Sequence, residues 1–113
     1  MTARRRRVLT CVLAALAILS GVVSPQAQLS PGAQRGMTFA RANCARCHAV
    51  DKVSPSPLAV APPFRTLHER YPVETLEEAL GEGIVTGHEN MPEFKLEPDQ
   101  VGDFIAFLKS LEQ

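Results

Sequence analysis

The chain has 113 residues, with twelve Lys and Arg, twelve Asp and Glu, and a formal net charge of zero. Four of the basic residues form the N-terminal run Arg4–Arg7, so the rest of the chain has a formal charge of −4. An acidic domain argues against binding to nucleic acid or to an anionic membrane surface. The length predicts one domain with a small core.

The N-terminus has the pattern of a secretory signal. The basic run is followed by the apolar run Val8–Val23, which is short for a membrane span. We predict cleavage after Ala27, which makes residues 1–27 a signal peptide and residues 28–113 the mature domain. An uncleaved membrane anchor is the alternative. Either outcome places the domain outside the cytoplasm.

The first predicted helix of the mature chain begins at Ser30-Pro31-Gly32, which is a helix start signal. Gly36, Phe39, Ala40 and Cys44 then recur at helical spacing. Gly36 and Ala40 are small and four residues apart, which favours the close approach of a second helix at this face.

Cys44-Ala45-Arg46-Cys47-His48 has the spacing of a c-type haem attachment site. Residues three and four apart share a helix face, so both thiols can reach one edge of a haem while the imidazole of His48 lies under the iron. Thiols form thioethers with haem vinyl groups, and a neutral imidazole is a good axial ligand. We predict one covalent haem c per chain, bound by Cys44 and Cys47 and ligated by His48.

Other uses of two cysteines fit the sequence less well. A zinc site needs four ligands, and no second CxxC or HxxxH pair accompanies the motif. A thioredoxin-like dithiol belongs in a βαβ context, which the pattern lacks. The third cysteine, Cys11, would leave with the signal peptide and leave no unpaired thiol in an oxidising compartment.

Residues 51–63 contain four prolines and no regular pattern, so we expect an irregular segment laid against the edge of the cofactor. Pro62 has no N–H but keeps its carbonyl, which can accept a hydrogen bond from the far nitrogen of His48 and fix its tautomer. A short helical turn through Leu67 and His68 is predicted to follow.

Two further helices complete an all-α prediction. Tyr71-Pro72 begins one, with Gly81 and Gly83 closing it and Glu77 and Glu78 on its solvated face. Glu97-Pro98-Asp99 begins the other, whose apolar residues fall at helical spacing: Val101, Phe104, Ile105, Leu108 and Leu111. The connection between them is predicted to be an irregular loop.

The second axial ligand is predicted to be Met91, which lies in that loop and is followed by Pro92. Met37 shares a helix with the attachment motif and cannot reach the opposite face of the haem. His88 is the rival ligand, and its binding would give a lower reduction potential. His68 belongs to a turn that we expect to be exposed.

Four segments in this order resemble a small bacterial class I c-type cytochrome: 36–50, 61–64, 87–92 and 104–109. The resemblance implies the class I cytochrome c fold, with three to four helices around one haem and crossed N- and C-terminal helices. It implies contact of Gly36 and Ala40 with Phe104 and Phe107. It also implies a periplasmic protein that carries single electrons between redox proteins.

We therefore predict a monomeric electron carrier rather than an enzyme, ligated by His48 and Met91. Its donor and acceptor are redox proteins, either free or in a complex of which the chain is a subunit, and membrane association is expected only if the leader is retained. The alternative is a haem peroxidase or gas-ligand sensor with an open or displaceable sixth position, for which His88 and Asn90 would be distal polar groups.

Overall fold

A computed structural model of the chain describes residues 28–85 and 90–112. These residues form helix α1 (Pro31–Asn43), two 3-10 helices (Phe64–Glu69 and Val73–Thr75), helix α2 (Leu76–Glu82) and helix α3 (Pro98–Ser110). Their only β pairing is an isolated antiparallel bridge between Ile84 and Phe94. The all-α prediction is confirmed. Within these ranges no helix combines the length and apolar content that crossing a bilayer requires.

The starts of α1 and α3 lie where the sequence predicts them. The Ser30 hydroxyl accepts a hydrogen bond from the Ala33 N–H at 3.1 Å, and Pro31 occupies the first helical position. At α3 the Glu97 N–H donates to the Gln100 side chain at 3.0 Å, and Pro98 is the first helical residue. Both caps satisfy N-terminal N–H groups that have no partner within the helix.

The entry to α2 differs from the prediction of a helix beginning at Tyr71-Pro72. The first turn is a 3-10 helix, because the N–H and the hydroxyl of Thr75 both donate to the Pro72 carbonyl, at 3.0 and 2.8 Å. The α-helix begins at Leu76, continues past Gly81 and ends at Glu82. Gly83 alone terminates it, with φ of +114°, a conformation that glycine adopts without a Cβ penalty.

Helices α1 and α3 cross at Gly36. A Cβ at this position would collide with the main-chain carbonyl of Asp103 and would lie 2.8 Å from the Cβ of Phe107. Ala40, one turn later, is 0 % exposed. Small residues at these positions therefore let the two backbones approach directly, and the contact between Gly36 and Phe107 that the resemblance implied is present.

An ion pair joins the same two helices at the surface. Arg35 donates to both carboxylate oxygens of Asp103, at 2.6 and 2.7 Å. The pairing raises the pKa of Arg35 and lowers that of Asp103, in each case chiefly through the side-chain hydrogen bond. Because the Arg35 side chain is largely exposed, the pair contributes little net stability. The crossing therefore depends on packing at Gly36.

The core lies between α3 and the elements that cross it. Phe107 and Leu108 of α3 are each 1 % exposed, as is Val73 of the second 3-10 helix. The cluster also includes residues of α1, the first 3-10 helix, α2, the segment before α3, α3 itself and the residue that ends it: Ala33, Ala40, Phe64, Leu67, Leu80, Leu96, Val101, Phe104, Ile105 and Leu111. The N- and C-terminal helices of the domain thus share one core.

We predict that Gly36→Ala lowers the free energy of unfolding of the holoprotein by about 1–3 kcal/mol, because backbone carbonyl atoms cannot move aside for the new Cβ. Gly102→Ala is the matched control, since a Cβ there meets nothing within 4 Å. That variant should gain about 1 kcal/mol from helix propensity. Denaturant unfolding followed by circular dichroism measures both. Equal effects of the two variants would contradict the close crossing.

Candidate functional site

The CxxCH segment continues the last turn of α1. The Cys44 carbonyl accepts hydrogen bonds from the N–H groups of Cys47 and His48, at 3.1 and 2.9 Å. The bond from His48 is a helical i to i+4 contact, so Cys44 and His48 lie on one side of this turn. Local backbone bonding thereby groups the two thiols and the imidazole within a single turn of chain.

The two thiols of the segment are free and half-buried. Cys44 also packs against the hydrophobic core, and burial raises the pKa of its thiol to about 11. At neutral pH the thiol is therefore uncharged. A thioether at the same position has no proton to lose and suits these apolar surroundings.

The His48 ring is held from two sides. Its Nδ1 lies 2.8 Å from the Pro62 carbonyl oxygen, at hydrogen-bond distance. The ring of Phe64 packs beside it, with 4.9 Å between ring centroids. A bond from Nδ1–H to a carbonyl fixes the neutral tautomer and leaves Nε2 as the nitrogen that can ligate a metal. The contacts with Pro62 and Phe64 thus orient the ring.

Aromatic rings connect the His48 side of the core to the segment that contains Met91. Three ring pairs pack edge to face. The distance between ring centroids is 5.8 Å for Phe64 and Phe104, 5.7 Å for Phe104 and Phe39, and 6.1 Å for Phe39 and Phe94. The Phe94 carbonyl accepts from the Ile84 N–H at 3.0 Å. The chain just after Met91 is therefore anchored both by its backbone and by its ring.

The structure brings four of the predicted site residues together, and Met91 lies apart from them in the sequence. Cys44, Cys47, His48 and Pro62 are brought together by the contacts given above. Met91 is half-buried and lies three residues before Phe94. The rival His88 lies outside the described residues.

The other candidate ligands are placed as follows. Met37 is half-buried on α1 and packs against the core. His68 is exposed in the first 3-10 helix, as its sequence position suggested.

Sequence patterns did not identify Phe94 as part of the site. It lies in a short irregular stretch with no helical or alternating period. The available signal was its position three residues after Met91 in a sequence with only five phenylalanines. Large aromatic side chains are costly to leave in water, so a loop phenylalanine next to a candidate ligand is a good candidate for an anchor.

An Asx turn follows His48. One carboxylate oxygen of Asp51 accepts from the N–H groups of Val53 and Ser54, at 2.7 and 2.6 Å. The bonds from Ser54 and Val53 lower the pKa of Asp51 to about 2, with a smaller contribution from the charge of Arg65. The irregular segment therefore begins with a fixed turn.

This turn predicts a pH-dependent stability. A carboxyl group whose folded pKa is lowered to about 2 stabilises the fold above its unfolded pKa of about 4, and the effect is lost as the pH falls from 4 through 2. Asp51→Ala should therefore reduce the free energy of unfolding at pH 5 by more than at pH 3. Asp51→Asn keeps an acceptor oxygen and serves as the matched control. An Asp51→Ala effect of the same size at both pH values would contradict the turn.

The donor set fits a covalent haem better than a metal ion alone. Two free half-buried thiols, an imidazole with Nε2 available and an apolar core beside them match thioether attachment with one axial nitrogen. Across residues 28–85 and 90–112, no group of three or more His, Cys, Asp or Glu side chains is arranged to hold a metal ion. These features define a haem protein of the c type.

Residues 33–112 match the family model described as Cytochrome c, and the chain belongs to the cytochrome c family. No curated protein and no solved structure matches the sequence significantly. Family membership confirms the predicted small class I c-type cytochrome and its cofactor, a covalently bound haem c with its iron. It also supports haem-based electron transfer as the general role.

Proposed function

We propose that this protein is a single-electron carrier whose haem iron is ligated by His48 and Met91, and that it is not an enzyme. The observation that carries the proposal is the contact between His48 Nδ1 and the Pro62 carbonyl, at 2.8 Å. It supports a fixed axial imidazole on one side of the haem. The half-buried Met91, followed by the anchored Phe94, supports a fixed thioether on the other.

The haem supplies a one-electron iron couple when it is bound. The Pro62 carbonyl would hold His48, and the backbone and ring contacts of Phe94 would restrain the chain just after Met91, in either oxidation state of the haem. Apolar side chains around the site, among them Phe64 and Phe104, exclude water and lower the local dielectric. With haem bound, the thioether of Met91 and these apolar surroundings would both favour the ferrous state and so raise the reduction potential.

We further propose that residues 1–27 direct export and are cleaved, so that residues 28–113 act as a monomeric periplasmic domain. Retention of the leader would instead anchor the domain to the periplasmic face of the inner membrane. The partners are redox proteins. Exposed Glu77 and Glu78 on α2 and exposed Glu93 contribute to an acidic surface that disfavours nucleic acid and favours basic docking sites.

Carbon monoxide separates the carrier from a peroxidase or gas sensor. The ferrous holoprotein should show a six-coordinate low-spin spectrum that does not change when the gas is added, because Met91 occupies the sixth position. The ferric form should likewise bind cyanide slowly. Immediate binding of either ligand by a high-spin iron would contradict the carrier and favour the sensor or peroxidase.

A further inference from the structure

Side-chain hydrogen bonds of Asp51, Ser56 and Arg65 hold the segment between His48 and Phe64. Asp51 fixes the turn at its start through the two N–H contacts described above. The Ser56 hydroxyl accepts from the Ala49 N–H at 3.0 Å. The Arg65 Nη1 donates to the Ser54 carbonyl at 2.7 Å. Ser56 and Arg65 are both half-buried, so their contacts are partly protected from water.

The contacts of Ser56 and Arg65 reach the two ends of the segment that carries Pro62. Ser56 binds Ala49, the residue directly after His48, and the Ala49 carbonyl in turn accepts from the Phe64 N–H at 3.0 Å. Arg65 directly follows Phe64 and ties that end back to Ser54. Pro62 lies between these tethers, so the position of its carbonyl depends on both.

Hydrogen bonds do much of this positioning. Residues 51–63 contain no helix or strand, and their one buried apolar residue is Ala61, directly before Pro62. An irregular segment has no helical or sheet bonding to fix its path, so side-chain and loop hydrogen bonds must supply much of it. Two backbone hydrogen bonds also hold the segment, from the Leu58 N–H to the Cys47 carbonyl at 3.1 Å and from the Ala61 N–H to the Leu58 carbonyl at 2.9 Å.

We propose that Ser56 and Arg65 are positioning residues that hold the Pro62 carbonyl against Nδ1 of His48 and thereby set the reduction potential of the haem. The inference rests on the proposed electron-carrier function. A hydrogen bond from Nδ1–H to a carbonyl makes the imidazole a stronger electron donor, which favours the ferric state. Loosening either tether weakens that bond, so the potential should rise.

The test uses holoprotein variants Ser56→Ala and Arg65→Met, with two readouts. The first is the midpoint potential, which should shift upward in both variants. The second is solvent exchange of the His48 Nδ1 proton, followed by NMR, which should become faster. Arg70→Met is the matched control, because Arg70 is an exposed arginine at the end of the same 3-10 helix. It should change neither readout.

Conservative variants distinguish positioning from simple destabilisation. Ser56→Thr keeps the hydroxyl and Arg65→Lys keeps a cationic donor, so both should return the potential and the proton exchange towards wild type. If Ser56→Ala and Arg65→Met lower the unfolding temperature but leave both readouts at wild-type values, the tethers are only structural and the proposal is wrong. If Arg65→Met does not retain haem, the potential and the proton exchange of Ser56→Ala alone test the proposal.

Failure of the proposal is distinguishable from failure of the proposed function. Proton exchange at His48 reports the contact with Pro62 whether or not the protein carries electrons. A wild-type holoprotein that is high-spin or lacks a reversible one-electron couple would contradict the function. A reversible wild type whose potential is unmoved in both variants would contradict only the role of Ser56 and Arg65.

Discussion

Replacement of both Cys44 and Cys47 by Ala should give a chain that retains no haem under denaturing conditions and loses most of its cooperative folding. Within residues 28–85 and 90–112, Cys44 and Cys47 supply the thiols that can form covalent links to the cofactor. A domain of this size has a small core, and the haem adds a large apolar surface against which the helices pack. Loss of attachment should therefore appear as loss of folding, because a bound group stabilises only the native state.

Intact mass and haem staining after denaturing electrophoresis measure attachment, and the far-ultraviolet circular dichroism of the same samples measures helix content. Cys11→Ser is the matched control, since Cys11 belongs to the predicted signal peptide and should be absent from the mature chain. This variant should retain haem at the wild-type level. Covalent haem in the double variant would contradict attachment through Cys44 and Cys47.

Met91→Ala should convert the low-spin holoprotein into one with an open sixth position. The sulfur-to-iron charge-transfer band of the ferric protein should disappear, and the ferrous protein should bind carbon monoxide at once. The potential should fall by more than about 59 mV, which is a tenfold change in the equilibrium constant of a one-electron couple. The direction follows because a thioether ligand favours the ferrous state.

Met37→Leu is the control for this prediction, because Met37 is also half-buried but lies on α1 with the attachment motif. It should leave the charge-transfer band and the potential close to wild type. A Met91→Ala protein that stays low-spin and closed to carbon monoxide would contradict Met91 as ligand. Loss of the low-spin spectrum in His88→Ala instead would identify His88 as the ligand.

Local signals predicted the helices well where capping residues specify a helix start. Ser30 before Pro31 and Glu97 before Pro98 place the starts of α1 and α3 within one residue of the structure. The predicted start of α2 was wrong. Pro72 does begin a helical turn, but the N–H and the hydroxyl of Thr75 both donate to the Pro72 carbonyl, and this turn is a 3-10 helix. Side-chain competition of this kind leaves no periodic pattern.

The attachment turn was predictable because its chemistry is local. Cys44, Cys47 and His48 lie within five residues, and their spacing specifies both the turn and the cofactor. Family membership then confirms the haem c that the motif predicted.

Contacts between distant segments were harder to predict. The tether from Arg65 to Ser54 spans eleven residues of irregular chain, and nothing in the spacing of these two residues marks them as a pair. The contact between Phe39 and Phe94 joins a helix to a loop far along the chain. The sequence specifies such pairs only through the packing of the whole domain.

The central claim is that one covalent haem, held by His48 and Met91, exchanges single electrons without a change of ligands. A spectroelectrochemical titration of the purified holoprotein tests it most directly. We expect a reversible one-electron transition, with low-spin six-coordinate spectra in both oxidation states and the same curve in both directions. High-spin spectra in either state, or hysteresis between reduction and oxidation, would contradict it.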